Sequence, residues 1–267
     1  MEIDIFKETV LDFYRREGRQ LPWRGANPWG VTVSEFMLQQ TGVERVLHYW
    51  DNWMRLWSNP KSLAKAPAED VLRAWSGLGY NRRCYFLKAA AAIITEKHNN
   101  EVPQSTEILQ ELPGIGPYTA GAIACFSYNS PTVFIETNIR SAVIHCFFPE
   151  RNDVKDKEIF PILEMALDRA DPKTWYYALM DYGAALKKQG NPGRRSAHYT
   201  RQSPFIGSFR EARGKVIRTL ASMGPSSAEE IENASGLTGD NLYRVLEKLE
   251  KESMVAETGG VYRIAEL

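Results

Sequence analysis

Two glutamates lie where a carboxyl group could take part in acid–base chemistry. Glu35 lies in VSEFMLQQT (33–41), a largely apolar helical pattern, so its carboxyl group is either exposed at a gap in the core or held in a pocket. Burial in a pocket would raise its pKa and suit it to donate a proton. Glu136 precedes a predicted helix in FIETNIR (134–140). Its negative charge either stabilises the N-terminus of that helix or faces bound DNA. In unlike surroundings, two carboxyl groups can serve as an acid and as a stabilising anion.

The strongest local motif is LPGIGPYTAGAIA, which spans residues 112–124. Its glycines allow a tight turn, and Pro117 suits the first position of a new helix. The exposed N–H groups and the positive dipole end of that helix together bind one phosphate. The motif therefore predicts a helix-hairpin-helix that holds a DNA backbone without reading its sequence, with Gly114, Gly116 and Thr119 as contacts. The alternative is a plain corner between two helices.

Two further clusters suit nucleic acid. WSGLGYNRR (75–83) places Leu78 and Tyr80 in a glycine-flanked loop before Arg82, a combination that suits insertion into a base stack. The second cluster is Gln39, Gln40 and Thr41, whose adjacent amide and hydroxyl groups suit contacts with bases and phosphates.

A basic run, KKQGNPGRRSAHYTRQ (187–202), contains five Lys or Arg residues, one His and no acid. Such a run can follow a phosphate backbone, and Arg194 and Arg195 are the predicted contacts. The alternative is a solvated linker. The whole chain has 33 basic and 33 acidic residues, which does not exclude nucleic acid because binding needs only a local basic face.

The composition is that of a soluble globular protein. Hydrophobic residues are 43% and charged residues 25% of the 267, which excludes wholesale disorder and suffices for one large domain or two smaller ones. No apolar run reaches the ~18 residues of a membrane span, and the first residues do not resemble a signal peptide. We therefore expect a cytoplasmic monomer, associated with the nucleoid if the source is prokaryotic. Three scattered cysteines argue against disulfides and metal sites, so we expect no cofactor.

The hydrophobic pattern is helical nearly throughout, so the predicted fold class is all-α. The later predicted helices are Pro117–Ser127, Asn138–Phe147, Lys157–Ala170 and Thr174–Leu186. A stretch rich in Gly, Pro, Ser and Arg marks a domain boundary near residue 205. Beyond it, three short helices and a hairpin with a Gly-Gly turn predict a winged helix. The predicted domains are therefore 1–204 and 205–267.

Six motifs occur in the order and spacing of a known family: LPWR, SEFMLQQT, GLGY, LPGIGPYTAGAI, IETNIR and ALMDYGA. Over about residues 6–187 the chain resembles the helix-hairpin-helix (HhH-GPD) DNA glycosylases, and it is most similar to their adenine-specific, MutY-type branch. The resemblance implies two helical lobes, about 23–131 and 1–22 with 132–200, and a DNA cleft between them. It also implies a base-excision repair enzyme that hydrolyses the N-glycosidic bond of adenine opposite G or 8-oxoguanine in duplex DNA.

The resemblance implies roles for single residues. Glu35 matches the glutamate that protonates the departing adenine, and Glu136 matches the aspartate that stabilises the sugar cation. Tyr118 falls where bifunctional relatives carry the lysine that attacks the sugar, so a monofunctional enzyme with little strand nicking is expected. The other matched positions are Asn138 beside the catalytic acid, Trp23 and Arg24 in the base pocket, and Gln40, Leu78 and Tyr80 in the base stack.

Four features depart from the pattern of that family. Glu136 replaces an aspartate, and the extra methylene moves the carboxylate by more than about 1 Å. Tyr177 aligns with the base-contacting Glu or Gln of the pocket, which bears on adenine selectivity. Lys187 aligns with the first cysteine of a four-cysteine iron–sulfur loop, so no cluster is expected. A winged helix is predicted in place of the usual domain that senses 8-oxoguanine.

Two other functions stay open at this point. Tyr177 and Glu136 are compatible with removal of thymine or uracil from a mispair with G, as in a related branch. A non-catalytic DNA-binding regulator is the other alternative, although both carboxylates remain within intact motifs. DNA contact by the winged helix is open as well, because its predicted recognition helix (239–252) carries three basic residues against four acidic ones.

Overall fold

The computed structural model describes residues 1–201 and 204–266, which are mainly helical, so the predicted all-α class is confirmed. The first helices are α1 (Ile3–Glu17), α2 (Pro28–Leu38), α3 (Val43–Leu56), α4 (Pro60–Ala64), α5 (Ala68–Trp75), α6 (Arg82–Lys97) and α7 (Thr106–Glu111). The remaining helices are α8 (Pro117–Tyr128), α9 (Thr137–Phe147), α10 (Asp156–Ala166), α11 (Pro172–Gln189), α12 (Phe209–Met223), α13 (Ala228–Ser235) and α14 (Gly239–Lys251). Short 3-10 helices lie at Pro22–Gly25 and Pro192–Arg195, and the strands are β1 (Ser226–Ser227), β2 (Val255–Thr258) and β3 (Val261–Ile264).

The chain divides into two compact units. Unit 1 comprises Met1–Val31, Gln104–Glu111 and Ile115–Arg201. Unit 2 comprises Thr32–Pro103, Leu112–Gly114 and the residues described after Arg201. The C-terminal segment therefore groups with the helices α3 to α6. The division of the chain into domains at 204/205, and of the first domain into lobes, stays a prediction.

Unit 1 is built around helices α1, α9, α10 and α11. Phe6 of α1 is fully buried, and its ring centre lies 5.1 Å from that of Phe147 and 5.7 Å from that of Trp175, both edge-on. Helices α9 and α11 meet at Gly183, where a Cβ atom would lie 1.9 Å from the carbonyl oxygen of Asn138. Only glycine permits this approach, which fixes the N-terminal turn of α9 against α11.

Unit 2 has a tryptophan-rich core. The ring centre of Trp53 on α3 lies 4.6 Å from that of Trp57 and 5.3 Å from that of Trp75 on α5. The C-terminal segment joins this unit through defined hydrogen bonds. Tyr85 donates its hydroxyl to the carbonyl oxygen of Met254 at 2.8 Å, and Arg73 donates to that of Ala221 at 2.8 Å.

The three helices and terminal hairpin predicted beyond residue 205 are present. Strands β2 and β3 are antiparallel, and Gly259 and Gly260 between them have φ of 62° and 83°, the left-handed conformation that a tight hairpin turn requires. The two-residue strand β1 pairs with the other edge of β3. Sequence did not predict β1, since Ser226–Ser227 is too short to alternate.

Two helices differ from their predictions. The helix predicted at Lys157–Ala170 ends at Ala166, and Asp168 then accepts hydrogen bonds from the N–H groups of Ala170 and Asp171. An aspartate that bonds to its own backbone in this way favours a turn over a helix. Helix α4 was not predicted because it has only five residues. In the part of the chain that the structure describes, no helix is both long and apolar enough to cross a membrane.

Candidate active site and nucleic-acid surfaces

Glu35 is buried in unit 2. Its residue is 4% exposed, and the adjacent Val33, Phe36 and Met37 are fully buried. Of the two arrangements that the sequence allowed, a gap at the surface or a pocket, the structure has the buried one. A carboxyl group in such surroundings is removed from bulk water, the condition under which carboxylic acids become useful proton donors.

Arg83 holds the end of α2 to the following loop. Its guanidinium is buried and donates to the carbonyl oxygens of Phe36 at 2.9 Å, Met37 at 2.8 Å and Gly79 at 2.9 Å. Burial lowers the pKa of Arg83 to about 10, so it stays protonated at neutral pH. Arg83 is the last residue of the motif WSGLGYNRR (75–83), and the motif alone does not predict this role. A buried arginine that serves several carbonyl groups fixes the backbone around Glu35.

The predicted wedge loop (75–83) is ordered differently from expectation. Leu78 is 1% exposed, so the predicted insertion of its side chain into a base stack needs correction: here it fills the core of unit 2. Tyr80 has φ of +50° and is partly exposed, and Arg210 of α12 donates to its hydroxyl. Arg82 is exposed, with its guanidinium 4.9 Å from the ring centre of Phe86. Of the three DNA contacts predicted in this loop, Tyr80 and Arg82 are thus the accessible ones.

The three polar residues at the end of α2 have separate positions. Gln39 donates its side-chain amide to the carbonyl oxygen of Gly114 at 3.2 Å. Thr41 accepts a hydrogen bond from Arg83 at 2.9 Å. Gln40 is exposed and has φ of +56°. Gln40 is therefore the most exposed of the three.

The two glycines of the hairpin have different tasks. Gly114 has φ of +79°, and a Cβ atom there would lie 2.7 Å from Cβ of Phe86 and 2.9 Å from Cε1 of Phe36. It is therefore required for backbone packing in unit 2. Gly116 is exposed at the N-terminus of α8, and the place of its missing Cβ is open for 4 Å around. Such a bare helix start, followed by Pro117, suits the approach of a phosphate.

Two residues of the first turn of α8 face the interior of unit 1 to different extents. Thr119 is only 4% exposed, so its side chain faces the interior, and its predicted DNA contact stays a prediction. Tyr118 is partly exposed, and its ring centre lies 5.8 Å from that of Phe134, edge-on. The position where bifunctional relatives carry an amine thus holds an aromatic ring packed against the core.

Glu136 caps helix α9 in unit 1. Its Oε1 accepts from the backbone N–H groups of Asn138 at 2.6 Å and Ile139 at 2.8 Å. Its Oε2 accepts from the side-chain amide of Asn138 at 3.1 Å and from the hydroxyl of Thr137 at 3.0 Å. Four donors and the positive end of a helix suit an ionised carboxylate, which can only accept. Asn138 thus donates to Glu136 through both its backbone and its side chain, and its catalytic role stays a prediction.

Lys187 extends this network. Its Nζ donates to the hydroxyl of Thr137 at 3.0 Å, and that hydroxyl in turn donates to Glu136. Burial lowers the pKa of Lys187, while the charge of Glu136 opposes that shift. The sequence does not predict this contact, because only the packing of α9 on α11 brings Lys187 to Thr137.

Asp181, which lies within the motif ALMDYGA but was not predicted as a site residue, joins α11 to the segment that follows α1. Its buried carboxylate accepts from Arg24 at 2.7 Å and from Arg19 at 2.6 Å. Burial raises the pKa of Asp181, but the hydrogen bonds from the two arginines outweigh it, so the pKa lies below its usual value. A lone acid in an apolar helical run was the signal that could have identified it.

Two of the three predicted base-pocket residues, Arg24 and Tyr177, stack on each other. The guanidinium carbon of Arg24 lies 4.4 Å from the ring centre of Tyr177, and Phe126 stacks on Tyr177 with ring centres 4.6 Å apart. Tyr177 and Trp23 are both buried. Tyr177 therefore has a ring on one face and a cation on the other.

The basic run 187–202 is partly used inside unit 1. Arg195 donates to the carbonyl oxygens of Phe148 and Pro149, so its predicted role as a free phosphate contact needs correction. Arg194 is exposed. Gln202, the last residue of the run, lies outside the described residues.

The cysteines do not form a metal-binding set. Cys84 is buried in unit 2, and Cys125 and Cys146 belong to the hydrophobic core of unit 1. Burial raises the pKa of Cys84 and of Cys146, which disfavours the thiolate that a metal needs. No group of three or more His, Cys, Asp or Glu side chains in residues 1–201 and 204–266 has a metal-binding arrangement.

Comparisons with known proteins agree on one family. A model of the HhH-GPD superfamily base excision DNA repair proteins matches residues 33–165. The chain is 35% identical to adenine DNA glycosylase of Mycobacterium tuberculosis, over 95% of this chain and 91% of that protein. It is 30% identical to adenine DNA glycosylase of Homo sapiens, over 89% of this chain and 45% of that protein.

Solved structures support the fold. A thermostable thymine-DNA glycosylase aligns with a TM-score of 0.62 and 21% identity, over 68% of this chain and 86% of that one. Endonuclease III in a trapped covalent DNA intermediate aligns with a TM-score of 0.59 and 17% identity, over 77% of this chain and 90% of that one. At such identities the likeness establishes architecture alone.

Proposed function

Since the chain belongs to the HhH-GPD superfamily of base excision DNA repair proteins, we propose that it is a DNA glycosylase that removes adenine from mispairs with G or 8-oxoguanine. The observation that carries the proposal is the pair of carboxylates: one buried in an apolar helix, one ionisable and capped by four donors. The 35% identity to an adenine DNA glycosylase over nearly the whole chain favours adenine as the base.

In this proposal the two carboxylates have separate roles. The adenine is turned out of the duplex before reaction. Glu35 donates a proton to a purine nitrogen as the bond to the sugar breaks, and the neutral base departs. Glu136 stabilises the positive charge that develops on the sugar, and water completes the hydrolysis. Tyr118 offers no amine at the position of the family's lysine, so we expect base release with little strand cleavage.

Tyr177 supports a second candidate substrate, thymine or uracil opposite G. It occupies the position of the family's base-contacting Glu or Gln, and its ring is held between Phe126 and Arg24. An aromatic ring in place of a carboxylate or amide changes the hydrogen-bonding groups that the pocket offers to a base. Thymine or uracil opposite G is therefore the alternative substrate.

One experiment separates the two. Purified protein is incubated with duplexes carrying A:G, A:8-oxoguanine, T:G and U:G, and abasic sites are revealed by alkali cleavage. We expect cleavage at adenine in the first two, and little strand cleavage before alkali. Release of thymine or uracil alone would show that adenine is not the substrate. No release from any duplex would contradict the proposal that the protein is a glycosylase. Glu35→Gln serves as the control for contaminating glycosylases.

We also propose that the enzyme works without an iron–sulfur cluster, since the chain has three cysteines and such a cluster takes four. Iron analysis of protein purified under anaerobic conditions tests this. We expect no bound iron and no visible absorption band, whereas stoichiometric iron would contradict it. The cytoplasmic location and monomeric state remain predictions.

A further inference from the structure

A large open cavity lies within unit 2. Its volume is about 1000 Å³, and its walls are loop 76–83, the end of α2 and the inward side of α12 and α14. Pockets for small molecules reach this volume only at the upper end of their range, so a longer ligand fits it better. None of the residues that line it belongs to unit 1.

The lining is strongly basic. Six arginines and two glutamates contribute to it, and it contains no lysine or aspartate. Arg213 is paired with Glu252. Arg45 and Arg218 are exposed, and within residues 1–201 and 204–266 no ion pair engages either of them. The cavity therefore has positive charge that the described residues do not neutralise, and it suits an anionic ligand.

Helix α12 connects this charge to the loop that sequence analysis singled out. Arg210 on its first turn donates to the hydroxyl of Tyr80, whose backbone is in the left-handed region. One turn further, Gly214 leaves the wall open: a Cβ atom there would meet only Arg218 Nη1, at 3.4 Å. Glycine inside a helix destabilises that helix. The open cavity wall at Gly214 is therefore obtained at the expense of helix stability.

The recognition helix of the winged segment has balanced charge. The exposed surface of α14 carries three acidic residues (Asp240, Glu247 and Glu250) and three basic ones (Arg244, Lys248 and Lys251), and Lys248 and Lys251 are paired with Glu252 and Glu247. A surface without net positive charge attracts a phosphate backbone only weakly and is poorly suited to the major groove. Acidic neighbours thus offset the charge of α14, whereas α12 places Arg218 in a cavity where arginines outnumber glutamates six to two.

We propose that the C-terminal segment binds DNA through α12, and that the cavity holds the phosphate backbone of the strand that passes Tyr80. This rests on the proposed function, which makes duplex DNA the ligand. Arg218 and Arg45 each contact a phosphate, and Arg210 positions Tyr80 beside them. The winged helix thus enlarges the duplex-binding surface without reading bases through its recognition helix.

The test compares two single arginine variants of the full-length protein. Binding of fluorescent undamaged duplex is measured by anisotropy at several salt concentrations for the parent, Arg218→Ala and Arg244→Ala. Arg244 is an exposed arginine on α14 and is the matched control. Loss of one phosphate contact should lower the slope of log K against log salt by about 0.9. Between 50 and 200 mM salt, the parent should then lose about 3.5-fold more affinity than Arg218→Ala.

Arg244→Ala should keep the parental slope. Equal slopes for Arg218→Ala and the parent would overturn the proposal, as would a slope lowered equally in both variants. Gly214→Leu is a second variant that keeps the charge and fills the cavity. We expect weaker binding with a melting temperature no lower than that of the parent, since leucine favours a helix more than glycine does. Parental binding by this variant would also overturn the proposal.

Base release is followed in parallel, so that the two proposals can fail separately. If the parent binds duplex with the expected arginine dependence but releases no base, the proposed function fails and the surface stands. If the parent releases adenine and Arg218→Ala binds with the parental slope, the surface fails and the function stands.

Discussion

Glu35 and Glu136 have opposite surroundings. Glu35 lies on α2 in unit 2, buried among apolar side chains. Glu136 lies at the N-terminus of α9 in unit 1, partly exposed, where four hydrogen-bond donors converge on its two oxygens. The difference shows how one side-chain type can serve two tasks, because an apolar site suits the neutral acid and a helix terminus suits the anion.

The largest effect is expected from removing the acid. Glu35→Gln keeps the size of the side chain but cannot donate a proton to the leaving base. Single-turnover adenine release should fall by about 10²–10⁴-fold, while binding of the A:G duplex stays close to that of the parent. Near-parental release by Glu35→Gln would contradict the role of Glu35 as the proton donor.

A third carboxylate, Asp181, extends the comparison to stability. Its charge is buried between Arg19 and Arg24, so Asp181→Ala leaves two cations without their partner. The free energy of unfolding should drop by about 3–5 kcal/mol in urea titrations. The control is Asp12→Ala, which removes an exposed ion pair with Arg15 and should cost about 1 kcal/mol or less. Equal losses in both variants would contradict the structural role of Asp181.

The same carboxylate predicts a pH dependence. The folded-state pKa of Asp181 is lowered, so its contribution is fully present above the unfolded pKa of about 3.9. It is lost as pH falls through that value and then through the folded pKa. The stability of Asp181→Asn should therefore decline less between about pH 5 and pH 3 than that of the parent. Parallel acid-unfolding curves would argue against a lowered pKa.

The anion should matter less than the acid but respond to charge. Glu136→Gln keeps most of the capping geometry and loses the negative charge, so adenine release should fall on the order of 10²-fold. Glu136→Asp retains the charge at a helix N-cap, where aspartate is well accommodated, and should keep or even improve the rate. If the amide were as active as the parent, electrostatic stabilisation by Glu136 would be wrong.

The smallest effect separates two adjacent arginines. Arg194 is exposed, whereas Arg195 is bonded to the carbonyl oxygens of Phe148 and Pro149. Arg194→Ala should lower the salt slope of duplex binding by about 0.9 without changing base preference. Arg195→Ala should lower the melting temperature instead. A salt slope lowered in both variants would restore the original expectation that both contact phosphate.

Much of this arrangement was predictable because it is local in sequence. The helical pattern, the hairpin at Gly114 and Gly116 and the turn at Gly259 and Gly260 follow from conformational preferences of a few adjacent residues. Glu136 as a helix cap was also one of the two readings of its position.

What was missed depends on contacts between distant segments. Arg83 serves carbonyl groups more than 40 residues away, and Asp181 joins Arg19, just after the first helix, to Arg24 in the 3-10 helix that follows. Leu78 looked like an exposed wedge because its neighbours are glycines, yet its side chain fills the core. Charge alone could not distinguish Arg194 from Arg195, since only the fold brings Arg195 to the carbonyl groups that follow α9.

The division of labour between the two glutamates is tested most directly by changing the leaving group. In a matched G-containing duplex, adenine is replaced by 7-methyladenine, which already carries a positive charge and needs no proton to depart. Single-turnover release is measured for the parent, Glu35→Gln and Glu136→Gln, after subtraction of spontaneous loss. We predict that the deficit of Glu35→Gln largely disappears on the charged base, while that of Glu136→Gln persists because the sugar cation still develops. An equal deficit of Glu35→Gln on both bases would contradict its role as the acid.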